Sequence, residues 1–417
     1  MRSKTAVRFY FTGESVEGLT FTVNGGVYTP VNADGMYYVE VADINPQDLA
    51  DVLNMVVSDG INNLTVSYSP VSYISRMYYK DGSSEQMKDM VKAMYGYHLA
   101  AKALVKQISY QDSYFSFTGF WEENQDGELV SYKRVAMATV SFQGTEVLVN
   151  ARLDGEAKWY VDDVLVEPTV VDGGFQFRVS EGNHQLKAVL VSPNRMYLQG
   201  AQTDGVFVET EAQPYVHFIG DSITHAYPGF ASATGEALGV DYSVVAHPGM
   251  SLVDGWGWYT LMDGQEERIG METNYFQLET PDVASEFTPH SFTYGRKPDV
   301  IVIYLGVNDY LTEGPNFQED HPQIFAEKYV NFVQRLREIY PEVPVVILQC
   351  HQAEKTIRID AIADAHAQMS QLWDNVSLVD TYLWNVDISS DGVHPSAEGY
   401  AQMAERMTDI LKEMIGK

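Results

Sequence analysis

The sequence predicts an α/β domain with a parallel sheet in its C-terminal half, preceded by an all-β sandwich module and an N-terminal α+β module. Three successive patterns along the 417 residues indicate this organisation. Residues 1–108 combine short strand-like pieces with a helical stretch, and residues 109–213 contain period-two apolar runs between Gly, Asn and Asp turns. From residue 214 to 417, short apolar runs alternate with helical periods, which is typical of a three-layer α/β/α arrangement.

The N-terminal module, residues 1–108, is predicted to be an ancillary α+β module, and its role is not predicted. In the stretch LTFTVNGGVYTPV, the pair Asn24-Gly25 is a hairpin-turn signal. Ser83 with Gln86 makes a capping-box pattern at the start of a helix that runs to about Val105. Large apolar residues recur along this helix at helical spacing, and we expect them to pack on the sheet: Met87, Met90, Val91, Met94, Tyr95, Tyr97 and Leu99.

The middle module, residues 109–213, is predicted to be a β-sandwich. The stretches AMATVSFQGTEVLVNARL and GGFQFRVSEGNHQLKAVLV are apolar or period-two runs, and several short strands at such spacing favour this architecture. Pro214 marks the next boundary. The acidic stretch VDDVLVEPTVVDGG lacks the alternating ligand pattern of a calcium loop, so we expect solvated turns there.

The C-terminal segment, residues 214–417, is predicted to form the parallel sheet. The runs YVHFIG, VDYSVVAH, PDVIVIYLG and VPVVILQC are rich in Val and Ile, as in strands buried on both faces. Apolar positions recur every three or four residues in HPQIFAEKYVNFVQRLREIY and SAEGYAQMAERMTDILKEMI, which predicts helices. In such a fold the ligand crevice lies beyond the carboxyl ends of the strands, so the residues that follow each strand are the candidates for a site.

Charge and composition exclude several classes of partner. The chain has 27 Lys and Arg residues against 57 Asp and Glu residues, a formal net charge of −30 at pH 7. This field repels phosphate backbones and no basic stripe is present, so we expect no nucleic-acid partner. No run approaches the roughly 20 apolar residues of a membrane helix, so we expect no membrane partner either.

Cysteine usage and the N-terminus leave the compartment and the oligomeric state open. Cys350 is the only cysteine, which excludes an intramolecular disulfide and a zinc ribbon. The N-terminal stretch MRSKTAVRFYFTGESVEG has no apolar signal core, so we expect a soluble chain without an export signal. A secreted protein would need a leader that this sequence does not include.

Polar residues follow the predicted strands at the places where a site is expected. Gly220-Asp221-Ser222 comes after YVHFI, Gly249 after YSVVA and Asn308 after IVIYL. The late loop SSDGVHPSAEGY adds Asp391 and His394. Because the carboxyl ends of parallel strands share one edge of a sheet, we expect these groups to meet there.

Together these groups suit nucleophilic catalysis at an ester. A serine hydroxyl needs a base to take its proton, and the base works better when a carboxylate orients it. Ser222, His394 and Asp391 could fill these roles, with Ser222 N–H, Gly249 N–H and the Asn308 amide as the oxyanion hole.

Each residue also has a structural alternative. Ser222 could cap a helix, Asp391 could accept backbone bonds in its own turn, Gly249 could serve a tight turn and Asn308 could cap a loop. Asp221 is expected to hold its turn through backbone N–H groups rather than to touch a substrate.

The four motifs resemble the SGNH, or GDSL-type, hydrolase superfamily. Its four blocks carry Ser, Gly, Asn and His in that order, matched here by Ser222 in GDSIT, Gly249 in AHPGMS, Asn308 in GVND and His394 in DGVHP. The resemblance covers residues 214–417 and implies an α/β hydrolase fold with no cofactor and no catalytic metal. It also implies a serine esterase that works through an acyl-enzyme.

A narrower resemblance extends to about residue 110. VSFQGTEVLVN, WYVDD and FRVSEGNHQLKAVL are similar to the N-terminal jelly-roll module of carbohydrate esterase family two, and KPDVIVIYLGVND to its third block. Members of that family remove acetyl groups from plant polysaccharides, and they often rely on a Ser-His pair, whereas this chain presents Asp391 in the usual SGNH position. The resemblance implies an acetyl xylan or glucomannan esterase, secreted or on the cell surface of a bacterium.

Two alternatives stay open. The first is a broad short-chain carboxylesterase or another O-acylesterase, and the second is a carbohydrate-binding protein with a vestigial hydrolase domain. An aromatic loop bears on both, since Trp256, Trp258 and Tyr259 could form a glycan platform or could be buried anchors of a lid. His225 and His247 flank the site in sequence and could shape its rim or be structural.

Overall fold

The computed structural model describes residues 5–12, 15–33, 36–102, 105–191, 195–257, 269–278, 288–311, 319–351 and 356–416. The chain separates into two compact units, Met1–Lys106 with Val206–Val208 and Gln107–Gly205 with Glu209–Lys417.

The first unit contains short antiparallel strands and a pair of helices. Its strands are β1 (Thr5–Phe11), β2 (Thr20–Val23), β3 (Gly26–Tyr28), β4 (Val31–Ala33), β5 (Met36–Ile44), β6 (Leu53–Ser58) and β7 (Asn63–Tyr68). Its helices are α1 (Pro70–Tyr79) and α2 (Glu85–Lys102). The sheet orders are β1-β5-β4 and β3-β2-β6-β7, and the hairpin predicted at Asn24-Gly25 joins β2 to β3.

Helix α2 departs from the predicted pattern. Its first turn is capped by Ser84, whose hydroxyl accepts the Met87 N–H at 3.1 Å, and not by Ser83. Val91 and His98 are the buried residues of the helix, and His98 Nδ1 lies 2.7 Å from the Pro46 carbonyl of a short 3-10 helix. Because this face is the one that packs, most of the predicted apolar stripe is exposed, namely Met90, Tyr95, Tyr97 and Leu99.

Residues 107–208 are strands and turns, as predicted for the middle of the chain. The strands are β8 (Gln107–Ser109), β9 (Phe115–Glu123), β10 (Leu129–Asp154), β11 (Ala157–Val161), β12 (Val164–Val166), β13 (Thr169–Val171), β14 (Gly174–Val191), β15 (Arg195–Thr203) and β16 (Val206–Val208). The long strand β10 pairs antiparallel with β9, β14 and β15.

The remainder of the second unit is an α/β domain. Its strands are β17 (Tyr215–Gly220), β18 (Asp241–Ala246), β19 (Val300–Tyr304), β20 (Val345–Leu348) and β21 (Val376–Val379). Its helices are α3 (Ser222–His225), α4 (Phe230–Leu238), α5 (Met271–Asn274), α6 (Val307–Leu311), α7 (His321–Ile339), α8 (Thr356–Met369) and α9 (Ala397–Ile415). The strands pair in parallel in the order β18-β17-β19-β20-β21, and β10 continues this sheet beside β18.

Helices cover both faces of the parallel sheet. Alternate strand residues such as Ile219 and Ile303 pack in a core with α7 and α8. Their neighbours, such as Phe218 and Val302, pack in a second core with α4 and α9. Burial on both faces explains the continuous Val and Ile runs of these strands, and it leaves the strand ends as the accessible edge.

Candidate active site

The turn after β17 presents Ser222. Gly220 permits this turn because a Cβ there would lie 2.1 Å from Thr224 Oγ1. Asp221 Oδ1 accepts the Ile223 N–H at 3.0 Å, so Asp221 is the N-cap of α3 and Ser222 is its first residue. The capping role considered for Ser222 is therefore wrong, because the neighbouring carboxylate already fills it. Ser222 is partly exposed.

Ser222, His394 and Asp391 form a continuous chain of hydrogen bonds. His394 Nε2 lies 2.9 Å from Ser222 Oγ, and His394 Nδ1 lies 2.7 Å from Asp391 Oδ2. With Nδ1–H donating to the carboxylate, Nε2 is the acceptor for the serine hydroxyl proton. The arrangement can therefore remove a proton from Ser222 and hold the resulting imidazolium beside a negative charge.

Asp391 serves its own turn and the imidazole at once. Its Oδ1 accepts the N–H groups of Val393 and His394, at 2.8 and 2.9 Å, and the hydroxyl of Ser389 at 2.8 Å. These hydrogen bonds, with that from the His394 ring, hold the pKa of the Asp391 carboxyl well below its usual range. The two roles weighed for this residue are compatible, because each uses a different oxygen.

The expected oxyanion residues lie at the ends of β18 and β19, the two strands that flank β17. Gly249 occupies the turn after β18 with φ of 74°, a conformation that favours glycine. Asn308 is buried at the start of α6, and its Nδ2 donates to the Met250 carbonyl at 2.9 Å. One amide hydrogen of Asn308 therefore fixes the segment that carries Gly249, and Nδ2 carries a second hydrogen for an oxyanion.

Asp309 is a residue that the motif analysis did not single out. It is buried, and its carboxylate accepts the Leu252 N–H at 2.8 Å and the Val253 N–H at 3.0 Å. Burial raises the pKa of Asp309 to about 7, more than the backbone donors lower it. The only sequence feature that could have drawn attention to Asp309 is its position beside Asn308 in GVND. That position does not predict hydrogen-bond partners more than 50 residues away.

The aromatic loop is described only in part. Trp256 is half-buried, packs against the core that contains α7, and places its ring 4.6 Å from that of His321. Trp258 and Tyr259 lie outside the described residues. The rings of His225 and His247 are 6.5 Å apart, with His247 buried and His225 partly exposed.

The acidic stretch VDDVLVEPTVVDGG contains β12 and β13 and the turns that join them to β11 and β14. Asp162 Oδ1 accepts the Gln185 N–H at 2.9 Å, and Asp162 Oδ2 lies 2.7 Å from His184 Nδ1. Within the ranges that the structure describes, no three His, Cys, Asp or Glu side chains cluster so as to hold a metal ion. Across the same ranges, no helix is long and apolar enough to span a membrane.

Residues 218–402 match the model of the GDSL-like lipase/acylhydrolase family. This segment contains all of the predicted site residues, and the match agrees with the family resemblance stated from the four motifs. A comparison with curated proteins finds no match.

Several solved structures share the fold. A carbohydrate esterase family 2 enzyme with a carbohydrate binding domain, from Corynascus thermopiles (Myceliophthora fergusii), is 21% identical over 73% of this chain and 100% of its own, with a TM-score of 0.55. A family two carbohydrate esterase from Clostridium thermocellum, in complex with cellohexaose, is 20% identical over 72% and 99%, with a TM-score of 0.54.

An acetyl xylan esterase from the rumen bacterium Butyrivibrio proteoclasticus is 14% identical over 75% of this chain and 99% of its own, with a TM-score of 0.55. The likeness to these structures extends beyond the segment that the family model matches. At such identities it shows the fold alone.

Proposed function

We propose a reaction and a substrate for this chain, whose residues 218–402 match the model of the GDSL-like lipase/acylhydrolase family. The reaction is hydrolysis of a carboxylic ester, and the substrate is an O-acetyl group on a neutral plant-type polysaccharide such as xylan or glucomannan. The observation that carries the reaction is the hydrogen-bonded chain from Ser222 through His394 to Asp391.

The proposed mechanism has an acylation and a deacylation step. In acylation, Ser222 Oγ attacks the ester carbonyl while His394 Nε2 takes the hydroxyl proton, and Asp391 stabilises the imidazolium. The Ser222 N–H, the Gly249 N–H and the Asn308 amide stabilise the oxyanion. His394 returns the proton to the sugar alkoxide, which leaves, and then activates a water that attacks the acetyl-enzyme and releases acetate.

The proposed substrate class rests on the solved structures of like fold and on the net charge of the chain. The solved structures of like fold include carbohydrate esterases, and one of them was solved with cellohexaose. A formal net charge of −30 disfavours anionic polymers by long-range repulsion and leaves neutral glycans unaffected. Because such polymers are found outside the cell, we propose that the enzyme is secreted or located on the cell surface.

Replacing Ser222 tests the proposed reaction. Ser222→Ala should lower kcat for 4-nitrophenyl acetate by about 10⁴-fold or more, because the nucleophile is lost while the oxyanion donors remain. Ser370→Ala is a matched control, since the Ser370 hydroxyl also lies 3.2 Å from an imidazole nitrogen, that of His366, but outside this site. Near-parental activity of Ser222→Ala would contradict the assignment.

Acetate release from acetylated xylan, acetylated glucomannan, peptidoglycan and sialic-acid substrates tests the proposed substrate. Release from the first two, lost in Ser222→Ala, is the expected result. Hydrolysis of aryl acetates without release from any glycan would instead favour a broad short-chain carboxylesterase.

A further inference from the structure

A cavity of about 640 Å³ lies within the second unit, away from Ser222. Strands β11 and β14 form one wall, and α4 with the start of β18 forms the other. Its volume is within the range of small-molecule sites, about 300 to 1,000 Å³. Tyr242 lines the cavity, whereas the turn of Gly249 follows the far end of β18, about 13 Å further along the strand at 3.3 Å per residue.

One lining residue of the cavity, Lys187, belongs to an ion cluster with Asp241 and Arg296, which do not line the cavity. The buried Asp241 lies 3.1 Å from Lys187 Nζ and 2.7 Å from an Arg296 Nη. Lys187 itself lines the cavity with only 15% of its side chain exposed. A second carboxylate, that of Asp163, lies 3.9 Å from Lys187 Nζ, so this paired lysine provides little attraction for an anionic ligand such as phosphate.

The walls carry hydrogen-bonding groups that the protein does not use. Among the described residues, the side chains of Gln185, Gln213 and Glu236 have no hydrogen-bond partner, although all three line the cavity. The Gln185 backbone is fixed by Asp162, so its side chain has a rigid base. Each of the two amides can donate and accept hydrogen bonds, and the carboxylate can accept them. This set suits a ligand whose groups both donate and accept hydrogen bonds, such as hydroxyls.

The charges of the lining balance. Lys158 and Lys187 oppose Asp163 and Glu236, and the Lys158 ammonium lies 4.6 Å from the centre of the Tyr227 ring. The apolar part of the lining is provided by Met137 and Val189 and by the tyrosines Tyr160 and Tyr242. Tyrosine faces pack against the C–H surfaces of a sugar while its hydroxyls reach the polar groups.

We infer that this cavity is a second carbohydrate-binding site, which holds a neutral oligosaccharide segment remote from the ester that is cleaved. The choice of a polysaccharide ligand rests on the proposed function, whereas the neutrality and the mixed donor and acceptor pattern come from the cavity itself. Such a site would retain the polymer between successive deacetylations at Ser222.

The test is the binding of unacetylated xylohexaose, mannohexaose and cellohexaose, measured by titration calorimetry on the full chain. At least one of them should bind, and Lys158→Ala combined with Glu236→Ala should weaken that binding by tenfold or more. Both side chains are on the surface, and thermal unfolding reports whether the double variant stays folded. Gln185→Ala is the alternative variant if it does not.

Lys297→Ala with Glu413→Ala is the matched control, because it makes the same charge changes at exposed positions outside the cavity. Parental binding in the control with weakened binding in the cavity variant supports the site. Equal binding in all variants would place the glycan elsewhere, and the absence of binding by every hexasaccharide would also overturn the inference. Hydrolysis of 4-nitrophenyl acetate by the unmodified chain is measured alongside, so failure of the proposed reaction is seen separately.

Discussion

Two carboxylates support the candidate site from opposite environments. Asp391 has half of its side chain exposed, and its partners are Ser389, Val393 and His394, all within three residues. Asp309 is buried, and the N–H groups that it binds are 56 and 57 residues away. Hydrogen bonds hold the pKa of Asp391 well below its usual range, while burial raises that of Asp309 to about 7.

The contrast shows that the two halves of the site are built differently. His394 is oriented by a single short loop, which needs little from the rest of the protein. The turn of Gly249 depends on α6 docking against the segment after β18, through Asn308 and Asp309. We therefore expect changes at Asp391 to act on chemistry and on its own short loop, and changes at Asn308 or Asp309 to act on chemistry and on packing between distant segments.

Of the effects expected at Asp391, Asn308 and Asp309, the largest is at Asp391. Asp391→Asn keeps the size of the side chain but removes the charge that stabilises the imidazolium and selects its tautomer. We expect kcat for 4-nitrophenyl acetate to fall by roughly 10³ to 10⁴-fold. Steady-state kinetics of the parent and of Asp391→Asn, compared at equal concentrations of folded protein, measure the fall in kcat.

Asp387→Asn is the control for Asp391. Asp387 is in the same exposed loop and accepts the Ser396 hydroxyl, but it does not contact the imidazole. Its activity should stay close to the parental value. A loss of less than threefold in Asp391→Asn would instead show that a Ser-His pair suffices, as in many members of carbohydrate esterase family two.

The second prediction tests the oxyanion side. Asn308→Ala removes the amide that would stabilise the developing charge, and we expect kcat to fall by about 10²- to 10³-fold with little change in KM. Asn375→Ala is the matched control for Asn308→Ala, because the Asn375 side-chain amide also donates a hydrogen bond to a backbone carbonyl, that of Glu342, at 2.8 Å.

Measuring both activity and thermal unfolding separates the two roles of Asn308. If the two Asn variants lose similar stability and only Asn308→Ala loses activity, the amide acts on the reaction. If activity falls equally in both, the oxyanion assignment of Asn308 is wrong.

The sequence could predict features that depend on neighbouring residues, and it could not predict contacts between residues far apart in the chain. The sequence predicted Ser222, Asp391 and His394 as candidates because each is part of a short motif, and the structure brings their side chains together. It predicted the helices over 321–339 and 397–415 because their periodicity is local. The role of Asp309 could not be predicted, because its partners Leu252 and Val253 lie after a different strand. The exposed face of α2 was mispredicted for a related reason, because periodicity identifies an apolar face but not the surface that covers it.

The smallest expected effect concerns Asp309 and its titration. An aspartate in the unfolded chain has a pKa of about 4, while that of Asp309 is raised to about 7. Between these values the folded protein holds a proton that the unfolded chain has lost, so the free energy of unfolding falls as pH rises through this window. The slope from this group is up to about 1.4 kcal/mol per pH unit.

Asp309→Asn cannot titrate, so its free energy of unfolding should gain relative to the parent as pH rises from 4.5 towards 7.5. Urea unfolding followed by tryptophan fluorescence measures this in the second unit, because all 6 tryptophans of the chain lie in it. Parallel curves for parent and variant would contradict the raised pKa. At neutral pH we also expect about a tenfold lower kcat, since the amide replaces an acceptor for Leu252 or Val253 with a donor and loosens the segment after Gly249.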